Sequence, residues 1–81
     1  MNLEERLIQR ARQHAVPLGT DKEMIDKGYM SASEEFDVDH FGIKYKGQAY
    51  RHFLLLNWLF VRYHKANEPE EIQWIEHKEK P

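Results

Sequence analysis

Closely spaced acidic residues followed by a glycine form a partial match to a cation-binding loop. Asp37, Asp39 and Gly42 occupy the first, third and sixth positions of a calcium-binding loop, where carboxylate oxygens bind the ion and the glycine allows a sharp bend. The match fails because the fifth position is Phe41 and the twelfth is Gln48, in place of a bidentate glutamate. We therefore interpret these acidic residues as the solvent-facing side of a strand and predict no metal site.

A second set, Asp39, His40, Asn57 and His64, resembles the HNH, or ββα-metal, nuclease pattern. The resemblance implies that His40 is the general base and that Asp39 and His64 bind the metal ion. It covers only residues 39–64, and Asn57 falls inside a predicted helix where the family has it before the helix. Metal ligation needs three or four converging groups, so an HNH-like metal nuclease is an alternative only. We assign no catalytic residue, metal ligand or cofactor and expect a chain that is not an enzyme.

Cations interleaved with aromatic residues give a further alternative, a nucleic-acid-binding module over residues 44–65. Cations can bind phosphates, and flat rings can stack on bases. Its candidate residues are Lys44, Lys46, Arg51, Arg62 and Lys65. Acidic residues flank this block on both sides, with four in residues 34–39 and five in residues 68–81. We expect these acids to fold back and pair with the basic block.

Residues 49–66 form the stretch of the chain richest in large apolar residues. We expect this stretch to anchor the core and so to position the side chains described above. On a helix they would place a broad apolar arc on one side, and Leu54, Trp58 and Val61 would form a second stripe on the other. A domain this small cannot easily bury both sides of one helix. The pattern therefore predicts a long central helix with one exposed apolar stripe, unless the first helix and the C-terminal segment enclose it.

That stripe predicts a protein-binding surface, because tryptophan and arginine are enriched at interface hot spots. The candidate partner-binding residues are Arg51, Leu54, Trp58, Val61, Arg62 and Lys65. A two-fold axis could cover the stripe by pairing the helix with itself. We therefore expect a partner protein or a homodimer, and a role as a small regulator or inhibitor.

The remaining segments complete an α+β prediction: two N-terminal helices, a β-hairpin, the long central helix and a C-terminal strand, with a small antiparallel sheet packed on helices. Asn2 and Glu5 predict the first helix cap, and Pro17 to Gly19 would end that helix. Thr20 and Glu23 predict a second helix over residues 21–27, ending at Gly28, and residues 29–33 predict a loop. Period-two alternation predicts a hairpin from Phe36 to Tyr50 that turns at Lys46 and Gly47, with a bulge or tight bend at Phe41 and Gly42. Alternation also favours a strand over a helix in residues 72–77, and residues 78–81 predict a polar tail.

Length and composition limit the class of protein. The chain has 81 residues, a formal net charge of −2 and no cysteine, which predicts one domain over 1–81 held together by packing, without disulfides or thiolate metal sites. The first residues mix acids with arginines, and the longest apolar runs are interrupted by Asn57. We expect a cytoplasmic protein with no membrane partner.

Overall fold

The computed structural model describes residues 2–15 and 22–79. Within these ranges it contains the helices α1 (Leu3–Gln13) and α2 (Lys22–Asp26) and the strands β1 (Tyr29–Ser31), β2 (Phe36–His40), β3 (Ile43–His52), β4 (Leu55–Lys65) and β5 (Gln73–Lys78). The strands form one antiparallel sheet in the order β1-β3-β4-β5, with β2 paired to the first half of β3. The predicted α+β fold with a long central helix is therefore wrong, because the described chain is mostly sheet.

The stretch predicted as the central helix contains the end of β3, a turn and the whole of β4. Val61 and Leu59 on β4 lie in the core beneath α1, while Phe60 between them lies in a second core on the opposite face. Because successive side chains on a strand point to opposite faces, a strand buried on both faces reads as a continuous apolar run. Such a run has no period-two signal to separate it from a helix.

The β3–β4 turn also lacks the usual sequence signals. His52 pairs with Leu55, so only Phe53 and Leu54 form the loop, and neither has a positive φ. Two-residue hairpin loops usually contain glycine, asparagine or aspartate at positions that need positive φ. The chain reverses here without those residues, so the sequence gives no indication that a strand ends and another begins.

The β2–β3 turn lies where the sequence predicted a bulge or tight bend. Phe41 and Gly42 both have positive φ, 52° and 81°, as a primed two-residue hairpin turn requires. The Asp39 carboxylate accepts a hydrogen bond from the Gly42 N–H at 3.1 Å. The turn predicted at Lys46 and Gly47 is wrong, because β3 continues through both residues to His52.

The N-terminal helices follow their local signals more closely. The Asn2 side chain accepts a hydrogen bond from the Glu5 N–H at 2.8 Å, which confirms the predicted cap of α1. α2 buries Met24 but leaves Ile25 exposed. The loop predicted over residues 29–33 is wrong in its first part, because Tyr29–Ser31 form β1. The predicted break at Pro17 to Gly19, the cap at Thr20 and the last residues of the tail lie outside the described residues.

Two cores lie on the two faces of the sheet. On the face that packs against α1, here called the α1 face, the buried residues are Leu7, Ala11, Phe36, Val38, Ala49, Leu59, Val61 and Ile75. On the opposite face, here called the α2 face, Met24 packs with Tyr50 and Phe60, and Tyr29 and Trp58 pack around them. The larger core thus lies under the longer helix, and α2 covers only part of the other face.

Candidate functional site

The three apolar residues of the predicted stripe do not share a surface. Val61 is completely buried on the α1 face, Trp58 is half-buried on the α2 face, and Leu54 lies in the β3–β4 turn. Their spacing would align them on a helix, but a strand sends residues 58 and 61 to opposite faces. The stripe as a continuous surface therefore does not exist in this fold.

The three cations expected around the stripe are also separated. Arg51 donates hydrogen bonds to the Leu56 and Trp58 carbonyl oxygens and forms an ion pair of 2.8 Å with Glu79. Arg62 lies over the Tyr50 ring on the α2 face, 5.1 Å from its centroid. Lys65 is exposed at the far end of β4. Arg51 is thus the one of the three that lies near the β3–β4 turn.

The cations proposed for nucleic-acid binding do not form one surface either. Lys46 lies 3.8 Å from Glu35 and 3.5 Å from Asp37, so the expected pairing of the basic block with its acidic flanks is found here and at Arg51. Lys44 pairs in register with Asp39 across β2 and β3. Because carboxylates lie beside these cations, a phosphate backbone would meet both charges at once.

The residues of the HNH-like pattern do not converge. Asp39 and His40 are neighbours on β2 and point to opposite faces of the sheet. Asn57 lies near the start of β4 and His64 near its end. No group of three or more potential metal ligands occurs in residues 2–15 and 22–79. The buried Nδ1 atom of His40 has no hydrogen-bond partner among the described atoms, and its ring packs on Phe41 at 4.4 Å.

The most prominent apolar surface is the tip of the β3–β4 hairpin. We call Phe53–Leu56 the hairpin tip. Its four consecutive apolar residues are exposed by 57%, 72%, 44% and 62% of their surface. Four such side chains place an estimated few hundred Å² of apolar surface in contact with water, a size typical of interaction sites. Runs of this kind on a surface are uncommon unless they have a function.

Four hydrogen bonds hold the hairpin tip and the adjacent His52 to the junction between α2 and β1 and to the sheet. The Phe53 N–H donates to the Gly28 carbonyl at 3.1 Å, and the Leu54 N–H donates to the His52 Nδ1 at 3.1 Å. The other nitrogen of His52 lies 3.2 Å from the Lys27 carbonyl, and Arg51 holds the Leu56 carbonyl. Because Nδ1 is an acceptor, the proton of a neutral His52 is on Nε2, which can donate to Lys27.

Glycine at position 28 allows this close packing. Gly28 has φ 89°, and a Cβ at this position would lie 2.6 Å from Cε1 of Phe53 and 2.7 Å from Nε2 of His52. The His52 ring also packs edge-on against Tyr29 at 4.9 Å and stacks on Phe53 at 5.0 Å. The hairpin tip is therefore an ordered apolar surface, and its sequence signal is the run of four apolar residues itself.

Tyr63 lies away from the hairpin tip, beneath the start of α1. Burial raises its pKa above the usual value of 10.0, with smaller electrostatic contributions from Glu4 and Tyr45. Its hydroxyl donates a hydrogen bond to the Gln73 side chain at 2.8 Å. The groove around it has a volume of about 110 Å³ and is lined by Leu3, Lys65 and Glu71 among others. This volume is well below that of typical small-molecule sites.

Neither described helix has the length and apolar composition needed to span a membrane. No protein-family model matches the chain, and comparison with curated proteins and with solved structures gives no significant match.

Proposed function

We propose that this chain is a non-enzymatic protein-interaction module that binds a partner protein through the hairpin tip. The observation that carries the proposal is the exposure of Phe53–Leu56, four apolar residues in a row, in a domain that already has a core on each face of its sheet. Burial of these side chains is not needed to complete either core. The binding surface is thus a hairpin loop instead of the predicted helical stripe, and the class of function, protein binding, is the one expected from the sequence.

The shape of the hairpin tip indicates the kind of partner surface. A two-residue turn with apolar side chains on all four residues is convex, so its complement is an apolar groove or pocket on the partner. The hydrogen bonds that the tip donates to Gly28 and His52, and the one that it accepts from Arg51, hold its backbone in place before binding. Preorganisation lowers the entropy lost on binding, which supports a role as a small regulator or inhibitor that inserts this loop into a partner.

The proposal keeps the cytoplasmic location expected from the sequence. A chain without cysteine makes no use of the disulfides that stabilise many small domains in oxidising compartments. We do not propose the alternative function, nucleic-acid binding, because Lys46 and Arg51 are paired with carboxylates.

Site-specific photocrosslinking in the cell of origin tests the proposal. A photoreactive amino acid at position 54 should crosslink a discrete partner protein, and Leu54→Ser combined with Leu56→Ser should abolish capture of that partner by the tagged chain. Recombinant partner should then bind wild type in calorimetry and lose at least about tenfold in affinity with the double variant.

Phe41 provides the matched control. It is 89% exposed and lies at the other well-defined hairpin turn, between β2 and β3. The photoreactive amino acid at position 41 and the Phe41→Ser variant should leave the partner and its affinity unchanged. Capture that is insensitive to the double tip variant, or equally sensitive to Phe41→Ser, would contradict the proposal.

A further inference from the structure

β5 is an edge strand with a regular backbone, and its two charged side chains, Glu76 and Lys78, are of opposite sign. It lies at the end of the sheet, and its register with β4 runs from Gln73 to Lys78 without a shift. Its backbone hydrogen bonds within the described chain go to β4, so its outer side is unpaired there. Its six residues contain neither proline nor glycine. A regular strand edge of this kind is a template for another strand.

The opposite side of the sheet is protected. β1 has only three residues, and short edge strands offer few backbone groups for pairing. Asp37 and Asp39 also place two exposed carboxylates on β2, and charges of one sign disfavour pairing with a copy of the same strand. The two sides of the sheet therefore differ in their capacity to accept another strand.

Two apolar residues on or next to this edge strand, Ile72 and Trp74, retain exposed surface. Trp74 remains 43% exposed although its ring packs on Tyr29 at 5.9 Å and on Tyr50 at 5.8 Å. Ile72, just before β5, is 49% exposed. Strand pairing at this edge would remove part of both side chains from water, in addition to satisfying the free backbone groups.

We propose that a second copy of this chain pairs with β5 in antiparallel orientation, about a two-fold axis through Ile75, and joins the two sheets. This inference concerns a surface separate from the hairpin tip and does not depend on the proposed function. A two-fold axis perpendicular to the sheet leaves each side chain on the same face of the sheet in both copies. Directly opposite residues of an antiparallel pair also share a face, so one residue of β5 must lie opposite the same residue of the second copy.

Charge and chain geometry favour this register over those centred on Glu76 or Trp74. With Ile75 on the axis, Trp74 lies opposite Glu76 of the second copy, and Ile72 lies opposite Lys78 of the second copy, so within residues 72–78 no like charges face each other. An axis through Glu76 would place two carboxylates opposite each other, which is destabilising. An axis through Trp74 would extend the pairing into residues 70 and 71, where the Glu71 N–H bonds to the Glu68 carbonyl in a turn.

The same register adds contacts on the α2 face. Trp74 would lie diagonally opposite Lys78 of the second copy, within reach of a long side chain, so the ammonium could lie over the indole ring. The paired surface is small compared with a standard interface, because it consists of one strand and two exposed apolar side chains on each copy. We therefore expect a weak dimer that forms reversibly at high micromolar concentration.

Substitutions at the exposed Ile72 test the register without disturbing the core. In Ile72→Lys the new lysine would lie opposite Lys78 of the second copy, and symmetry repeats this contact in each dimer. The two like-charge pairs should raise the dissociation constant by about twofold to thirtyfold. Ile72→Glu faces the same lysines and should leave the dissociation constant unchanged or lower it. Sedimentation equilibrium up to millimolar concentration measures both. A wild type that stays monomeric, or a reversed order of the two variants, would overturn the proposal.

Disulfide trapping gives a second readout, because the chain has no cysteine of its own. A mixture of the Ile72→Cys and Lys78→Cys proteins should form a mixed disulfide dimer under mild oxidation, at several times the yield of either protein alone. The combination of Ile72→Cys with Glu76→Cys is the control and should react slowly. Preferential reaction of the control pair, or loss of association in the Leu54→Ser and Leu56→Ser double variant, would overturn the proposed pairing.

Discussion

Tyr63 is a residue whose ionisation depends on the packing of α1 against the sheet. Burial raises its pKa above 10.0, and Glu4 on α1 contributes to the same direction of shift. In the unfolded chain the phenol ionises near its usual value, whereas in the folded chain it stays protonated to higher pH. The folded state therefore binds more protons than the unfolded state above this pH, and stability falls as pH rises.

We predict that Tyr63→Phe reduces the loss of stability at alkaline pH. The contribution of Tyr63 is fully present below pH 10.0 and is lost as the pH rises through the higher pKa of the folded state. Urea denaturation of both proteins over a series of pH values checks this. Near neutral pH the variant should lose about 1 kcal/mol or less, from the hydrogen bond to Gln73. Parallel pH profiles for the two proteins would contradict the prediction.

The junction between α2 and β1 is an element that sets the position of the β3–β4 hairpin. Gly28 combines a positive φ with contact to Phe53 and His52. Gly42 also has a positive φ, 81°, but a Cβ there would have nothing within 4 Å. A side chain at either glycine would strain the backbone, but only at Gly28 would it also overlap with other side chains. Comparison of the two positions therefore separates the two effects.

We predict that Gly28→Ala destabilises the domain more than Gly42→Ala. The alanine at position 42 should cost about 1 kcal/mol, the strain of a side chain at positive φ. At position 28 the same strain is joined by overlap with the rings of Phe53 and His52, which should add about 1–3 kcal/mol. The free energies of unfolding from urea denaturation measure both. Equal losses would mean that the hairpin does not pack on Gly28 as described.

For the whole molecule, the division between core and surface lies within β4. Leu59 is 3% exposed, whereas Leu54 and Leu56 are 72% and 62% exposed. All three would have been buried or half-buried had the segment formed one helix clamped from both sides. A domain of this size has a free energy of unfolding of only about 5–15 kcal/mol. The buried Leu59 should contribute a measurable part of it, and the exposed Leu54 and Leu56 should contribute little.

We predict that Leu59→Ala lowers the free energy of unfolding by about 2–5 kcal/mol. The double variant Leu54→Ser and Leu56→Ser should change it by less than about 1 kcal/mol, because both side chains are in contact with water already. Urea denaturation monitored by tryptophan fluorescence checks both, and the double variant also shows that a loss of partner binding is not a loss of folding. Unfolding of the double variant would contradict an exposed hairpin tip.

The candidate site could be predicted from the sequence only in part. Leu54 and Arg51 were among the predicted contact residues, but the sequence did not indicate the run Phe53–Leu56 as one exposed surface, because its other residues were expected in the core. Arg51 lies at the base of the hairpin tip, where it holds a backbone carbonyl. Val61 and Trp58 could not be placed correctly, because their assignment to one surface depended on the period of a helix. The edge of β5 could not be found at all until the strand order was known.

The sequence by itself determined those elements whose local pattern fits only one type of secondary structure. These are the capped amphipathic helix α1, with Asn2 at its start and Leu7 and Ala11 buried, and the alternating strand β2, whereas the alternation in β5 only favoured a strand over a helix. The tertiary structure alone decided the state of residues 49–66. A segment with large apolar side chains at most positions is compatible with either a helix or a strand. Here α1 and α2 cover opposite faces of the sheet, so a strand can bury alternate residues on both sides.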